Sequence, residues 1–454
     1  MNLKQKIMKK DALASLLQSS PDALKEFERV YQQQKEEKED FFQLNAKDVS
    51  KIHEGVIEPS ALTERIVSEL IHDTSIWAFD GKNVSVNDAI AEKSMDPVTL
   101  EEIKMLPPEQ RPQLTGTLGK VDMNKKSHVV LLLLWKKYKK AKGKLKQDLY
   151  HYFRQGLEIL DLDPITWDII GRNPATMGHW LPQITEAALQ GGFFKIPKTT
   201  IIKVPLPLLQ LTRIEYGELT RATLDIVDEY CRRVFSLDET KEYFIKNGVY
   251  SSKYDFQNAH VKGAKEVREL GEYLLFIHHQ ACMMASPLNN VCIYGPGTTN
   301  EWVVREFIPD VEDNPCIYHG LPLHTEYRIF VDFDTKEILG FNPYWDPDVM
   351  KKRFGHERDA DEPDKVHDYV IYRMHEETLM RRYEENKELV LSHIKDLVQD
   401  TEGLYGQWSI DIMQNGNDFY LIDMAPAAES ALNHCIPKGK LKKPEEDYWI
   451  TQDY

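Results

Sequence analysis

Residues 408–430 read WSIDIMQNGNDFYLIDMAPAAES. Two apolar runs, each carrying one aspartate, flank the turn QNGND. Short β-type runs joined by an Asn-Gly turn are the sequence signal of a β-hairpin. Pairing the runs sets Asp411 and Asp423 side by side. Two carboxylates on facing strands repel unless a cation or a proton comes between them. A hard cation such as magnesium, which takes oxygen ligands and keeps several waters, is the economical explanation.

Upstream, residues 301–332 hold EWVVREFI and TEYRIFVD. The first run alternates only in part, as suits a strand that covers a ligand with its backbone. One C=O and one N–H two or three residues apart match the donor and acceptor edge of a purine. In the second run Glu326 and Arg328 lie two apart, so a strand sends both to one face. The same spacing also fits a cross-strand ion pair on a solvated face. Further upstream, YFIKNGVYSSKYDF at 243–256 places a strand through Lys246. A turn with Gly248, Ser251 and Ser252 follows and ends at Lys253. Backbone N–H groups, hydroxyls and two ammonium groups in such a turn suit phosphate oxygens. Alone, the segment reads more readily as a plain hairpin with solvated lysines.

The order of lysine strand, backbone-reading strand and acid hairpin resembles the ATP-grasp superfamily, over roughly residues 200–435. The spacing looks most like the cell-division-cycle 123 type and its bacterial or viral relatives. The resemblance implies an α+β fold of two lobes that bind ATP and Mg2+ between them. It implies that Lys246, Ser251, Ser252 and Lys253 meet the phosphates. The hinge residues would be Arg305 or Glu306, through a carbonyl, and Ile308, through its N–H; both would read adenine. Glu326 would accept the ribose hydroxyls and Arg328 would reach the transferring phosphoryl group, with Lys253 beside it. Asp411 and Asp423 would hold the metal, and Lys203 is a further candidate to line the cleft. The chain departs from the pattern at Ala425, where relatives carry asparagine, and at Ser409, where superfamily enzymes often carry arginine. Glu429 or Asn433 are the candidate substitutes for the asparagine, and Arg328 for the arginine. The stretch 309–325 is also longer than the usual link between hinge and ribose residue.

Two activities follow from the resemblance. One is an ATP-dependent carboxylate–amine ligase that works through an acyl phosphate. The other is a nucleotide-dependent assembly chaperone without ligase turnover. The partners implied are ATP and either a carboxylate substrate or a protein.

The remaining sequence narrows the class. A chain of 454 residues with 42% hydrophobic content is long enough for two or three domains. A formal charge of −16 disfavours general nucleic-acid binding. Five scattered cysteines without a CxxC pair suggest neither a disulfide framework nor a zinc site. The longest apolar run, at 129–135, is too short to span a bilayer, so a cytoplasmic protein is expected. Lys, Glu, Gln and Leu at helical spacing predict a mainly helical domain over 1–165, with a first lobe over 166–300 and a second over 301–454. The lysine-rich run at 136–146 reads as a solvated helix face. The charged stretch 354–368 reads as a surface loop before a long helix at about 369–400.

Overall fold

The computed structural model describes residues 59–90, 175–212, 214–284, 299–354 and 363–442, with isolated positions between 102 and 173. In chain order the elements begin with α1 (Pro59–His72), β1 (Ser75–Phe79) and β2 (Val84–Asn87). Next come α2 (Met177–Gly191), β3 (Phe194–Lys195), β4 (Thr199–Lys203), α3 (Leu206–Leu211) and α4 (Arg221–Val234). Then follow β5 (Tyr243–Asn247), β6 (His260–Val261), α5 (Gly263–Arg268), α6 (Leu270–Met284) and β7 (Glu301–Glu306). The last group is β8 (Cys316–Ile317), β9 (Leu321–Pro322), β10 (Glu326–Asp332), β11 (Glu337–Pro343), α7 (Pro347–Phe354), α8 (Pro363–Asp400), β12 (Gln407–Asn415) and β13 (Asp418–Pro426).

The strands form two main sheets, and the fold is α+β. A six-stranded antiparallel sheet runs β2-β1-β4-β7-β5-β6. A five-stranded sheet runs β11-β10-β12-β13-β3, antiparallel except for the parallel pair of β13 with β3.

The two-residue period of a strand explains how the sheets are buried. Along β4 and β7, Ile202, Trp302 and Val304 share one core with three helices: Ile66 and Leu70 of α1, Ile226 and Tyr230 of α4, and Leu274 and Ile277 of α6. The intervening Ile201 and Val303 share a second core with Trp180 and Ile184 of α2, Ile329 and Val331 of β10, Ile410 and Ile412 of β12 and Ile394 of α8. Helix α4 shows the local logic. Thr220 caps it by accepting from the Thr223 N–H, Arg232 and Arg233 close its last turn, and its apolar face supplies the core.

The structure differs from the expected domain limits. Residues 75–79 and 84–87 are strands of the six-stranded sheet, so the region 1–165 is not helical throughout; 1–58 and most of 91–166, including the lysine-rich run, lie outside the described residues. Nor does a boundary fall at 300, because β7 is central to the first sheet while β3 joins the second. Short strands that pair far along the chain leave no local mark of the sheet they join. The long helix starts at Pro363, earlier than expected, and 355–362 lie outside the described residues. Of the described cysteines, Cys231, Cys316 and Cys435 are free. Among the described residues no helix is long and apolar enough to cross a membrane.

Candidate functional site

The two sheets face each other across a cleft of about 940 Å³, its open mouth included. Lys246 pairs in register with Val303, so it shares the face of β5 and β7 that looks toward the second sheet. It is 2% exposed, and its Nζ lies 3.2 and 3.3 Å from the two carboxylate oxygens of Asp423 on β13. One lysine of the first sheet thus meets one acid of the second.

The acid hairpin forms as its turn demands. Asn415 pairs with Asp418, and Gly416 takes the first central position of a two-residue turn at φ +64. Asp411 then lies opposite Asp423 on one side and opposite Arg328 of β10 on the other. Arg328 grips Asp411 in a bidentate pair, Nε to Oδ1 at 2.8 Å and Nη2 to Oδ2 at 2.6 Å, and donates from Nη1 to Ala431 O at 3.3 Å. Burial disfavours its charge, but Asp411 more than offsets that and holds the guanidinium above its ordinary value. Both aspartates therefore already face a protein cation. Their mutual repulsion is relieved by Lys246 and Arg328, which removes the charge argument as a sufficient ground for a metal. Arg328 is also committed to Asp411, and its guanidinium is not directed at a ligand in the cleft.

Strand β7 offers one open carbonyl and not two. Backbone groups of successive strand residues alternate between the two neighbouring strands. Phe307 donates to Glu242 O on the β5 side, and Arg305 faces that side too. Glu306 donates to Lys198 O on the β4 side. Just beyond, β4 is preceded by Pro197, which has no N–H and lines the cleft. The Glu306 C=O and the Ile308 N–H, both on that side, find no partner among the described residues. Glu306, not Arg305, carries the open carbonyl. The Glu306 side chain pairs with Lys198 at 3.0 Å and Lys241 at 3.5 Å. The Arg305 side chain is buried between the sheets.

Glu326, at the start of β10, lines the cleft and is buried; burial pushes its carboxyl up to about 7, against the lowering effect of Lys253. The indole Nε1 of Trp345 is buried near it and makes no well-formed hydrogen bond among the described residues. Lys253 lines the cleft with its Nζ 4.4 Å above the ring of Tyr344, while the Arg328 guanidinium sits 4.6 Å from the same ring. Ser251 lines the cleft. Ser252 does not: it is buried, and its hydroxyl donates to Gln280 at 3.1 Å. Lys203 is likewise turned away, bound to Glu301 at 2.5 Å.

Two features were missed in the sequence. The aromatic pair Tyr344–Trp345 follows β11 inside FNPYWDP, where no local pattern marks it as part of a site. The group Asp310, Glu312 and His324 offers one ligand atom each within 4.8 Å of the others. The acidic spacing of DVEDN was its only signal. Its atoms are largely engaged within the protein. Asn314 donates twice to Asp310, Arg382 pairs with Glu312 at 3.4 Å, and His375 meets Asn314 at 3.2 Å. These contacts anchor 310–314 to α8.

Neither a protein-family model nor a curated protein matches the chain. Among solved structures it is similar to the C-terminally truncated Cdc123 from Schizosaccharomyces pombe, at 13% identity and a TM-score of 0.35, covering 60% of this chain and 96% of that one. It is also similar to Cdc123 from the same organism, at 14% identity and a TM-score of 0.32, covering 56% and 83%.

Proposed function

We propose that the cleft binds ATP with Mg2+, and that the protein acts as a nucleotide-dependent binding protein. One observation carries this reading. The Glu306 carbonyl and the Ile308 N–H are open at one end of the cleft, while Lys246, Lys253, Asp411 and Asp423 gather at the other. The first pair suits a purine edge, and the cations suit phosphates. Phe244, Phe256 and Ile308 supply apolar walls at the base end. Glu326, with the unpartnered Trp345 Nε1 beside it, suits a ribose diol. Asp411 and Asp423 would hold Mg2+, which would neutralise phosphate charge there. Binding at Asp423 would require Lys246 to turn from carboxylate to phosphate.

The placement of Arg328 favours a binding protein over a ligase. Its guanidinium is spent on Asp411 and Ala431 O, leaving Lys253 as the cleft cation suited to charge that develops at a transferring phosphoryl group. Ligation of a carboxylate through an acyl phosphate is the second reading, supported by the position of Lys253.

Mg-ATP at millimolar concentration is expected to raise the melting temperature of the folded protein, because a ligand of the native state stabilises it by mass action. A melting curve unmoved by Mg-ATP would count against the site. A partner protein captured with a non-hydrolysable ATP analogue would support the binding role. Release of ADP and phosphate in step with a modified product would replace it with the ligase.

A further inference from the structure

From its turn outward, the acid hairpin pairs Asn415 with Asp418, Gln414 with Phe419, Met413 with Tyr420 and Ile412 with Leu421. The next pair is Asp411 with Asp423, which leaves Ile422 unopposed. A regular ladder would set Asp411 against Ile422 and send Asp423 to the opposite face, since a one-residue shift reverses every side chain. The bulge at Ile422 therefore creates the acid pair.

A bulge interrupts the ladder and leaves its backbone groups in need of partners, and a buried carbonyl without one is costly. Here the partner comes from the other sheet. Arg305 donates from Nη1 to Ile422 O at 2.5 Å and from Nη2 to Leu421 O at 3.4 Å. Its Nε donates to Thr199 Oγ1 at 3.1 Å, so the planar fork is fixed on its own sheet as well. The residue is 4% exposed; burial lowers its pKa to about 10, which leaves it charged at neutral pH. A lysine has no fork with which to make all three contacts.

We propose that the Arg305 side chain is a positioning residue that holds the Ile422 bulge and so keeps Asp423 opposite Asp411. Its consequence for Mg2+ rests on the reading of the cleft given above. Arg305 acts through the β13 backbone and is distinct from the neighbouring Glu306 carbonyl.

The test compares full-length wild type, Arg305→Met and Arg305→Lys by hydrogen exchange without nucleotide and by ATP titration with and without Mg2+. Arg305→Met should speed exchange in 421–426 and 408–411 while sparing 412–420, next to the turn. The gain in ATP affinity due to Mg2+ should fall about tenfold or more, with Mg-free affinity within about threefold of wild type, as for loss of a charged hydrogen bond. Arg305→Lys should fall between. Exchange that rises evenly through both sheets would reduce Arg305 to a packing role and overturn the proposal, as would unchanged exchange at 421–426. If Arg305→Met does not fold, Thr199→Val removes the anchor of Nε and should give the same pattern at smaller size. Wild type without Mg-dependent ATP binding would sink the reading of the cleft, and localised exchange would still decide the role of Arg305.

Discussion

Two buried glutamates open a strand in each sheet, and the protein treats them in opposite ways. Glu301 begins β7 and is fully buried. It accepts from the Thr176 hydroxyl at 2.5 Å, from the Gly178 N–H at 2.9 Å and from Lys203 at 2.5 Å. Gly248 packs so closely on this group that a Cβ there would collide with Thr176, Thr299 and the Glu301 carboxylate. Glu326 begins β10 and is also buried, but no well-formed hydrogen bond among the described residues reaches its carboxylate. A carboxylate with its donors supplied is finished by the fold. One left short of donors in a cleft is prepared for a partner from outside. The first glutamate ties the turn after Lys246 to α2, whereas the second waits.

Breaking the satisfied member should cost the most. Glu301→Ala takes the shared carboxylate from Lys203, the Thr176 hydroxyl and the Gly178 N–H and opens a void in a buried site, and should lower unfolding stability by about 3–5 kcal/mol. Denaturant unfolding would measure it, and a loss below about 1 kcal/mol would erase the contrast.

The unsatisfied member should respond to pH. With its folded value near 7 and an ordinary value of 4.5, Glu326 holds its proton more tightly in the native state. Wild type should therefore lose stability as pH rises from about 4.5 through 7, by up to about 3 kcal/mol. Glu326→Gln should remove that slope, gaining on wild type at pH 8 and not at pH 4. Parallel stability curves for the two proteins would mean that Glu326 is better satisfied than its surroundings indicate.

The comparison sharpens at the acids. Asp423→Asn should remove most of the Mg-dependent gain in ATP affinity, about tenfold or more, as expected for the loss of a charged partner. Glu429→Gln should leave that gain within about twofold, within the usual range for a site outside the contact. Equal losses in nucleotide titrations would relocate the metal. Smallest is the serine pair. Ser252→Ala should cost about 1 kcal/mol of stability through its Gln280 bond and leave nucleotide affinity unchanged. Ser251→Ala should do the reverse, as read by melting curves and titration.

How far the sequence was legible follows the range of the interactions. The acid hairpin, the strand at Lys246 and the side of β10 that carries Glu326 depend on period and turn residues, and each was read directly. The commitment of Arg328 to Asp411 depends on which strands become neighbours across eighty residues, so the fork looked free for phosphate. Ser252 turned inward because Gln280 of α6 packs beneath the loop, a partner that no local pattern announces. The first strand pair, β1 and β2, escaped because an apolar run amid helical sequence does not reveal that it extends a distant sheet. Tyr344 and Trp345 gain meaning only once Lys253 and Glu326 are brought to them.

The chain passes from β3 in one sheet to β4 in the other through Ile196, Pro197 and Lys198 alone. Four residue steps at full stretch reach about 14 Å, and proline stiffens the span. This short link is a tether, limiting how far the two sheets can part beside Pro197, whereas the later crossing, residues 307–325 between β7 and β10, is long enough to allow more. On the reading of the cleft proposed above, the base end of a ligand would sit at the constrained side.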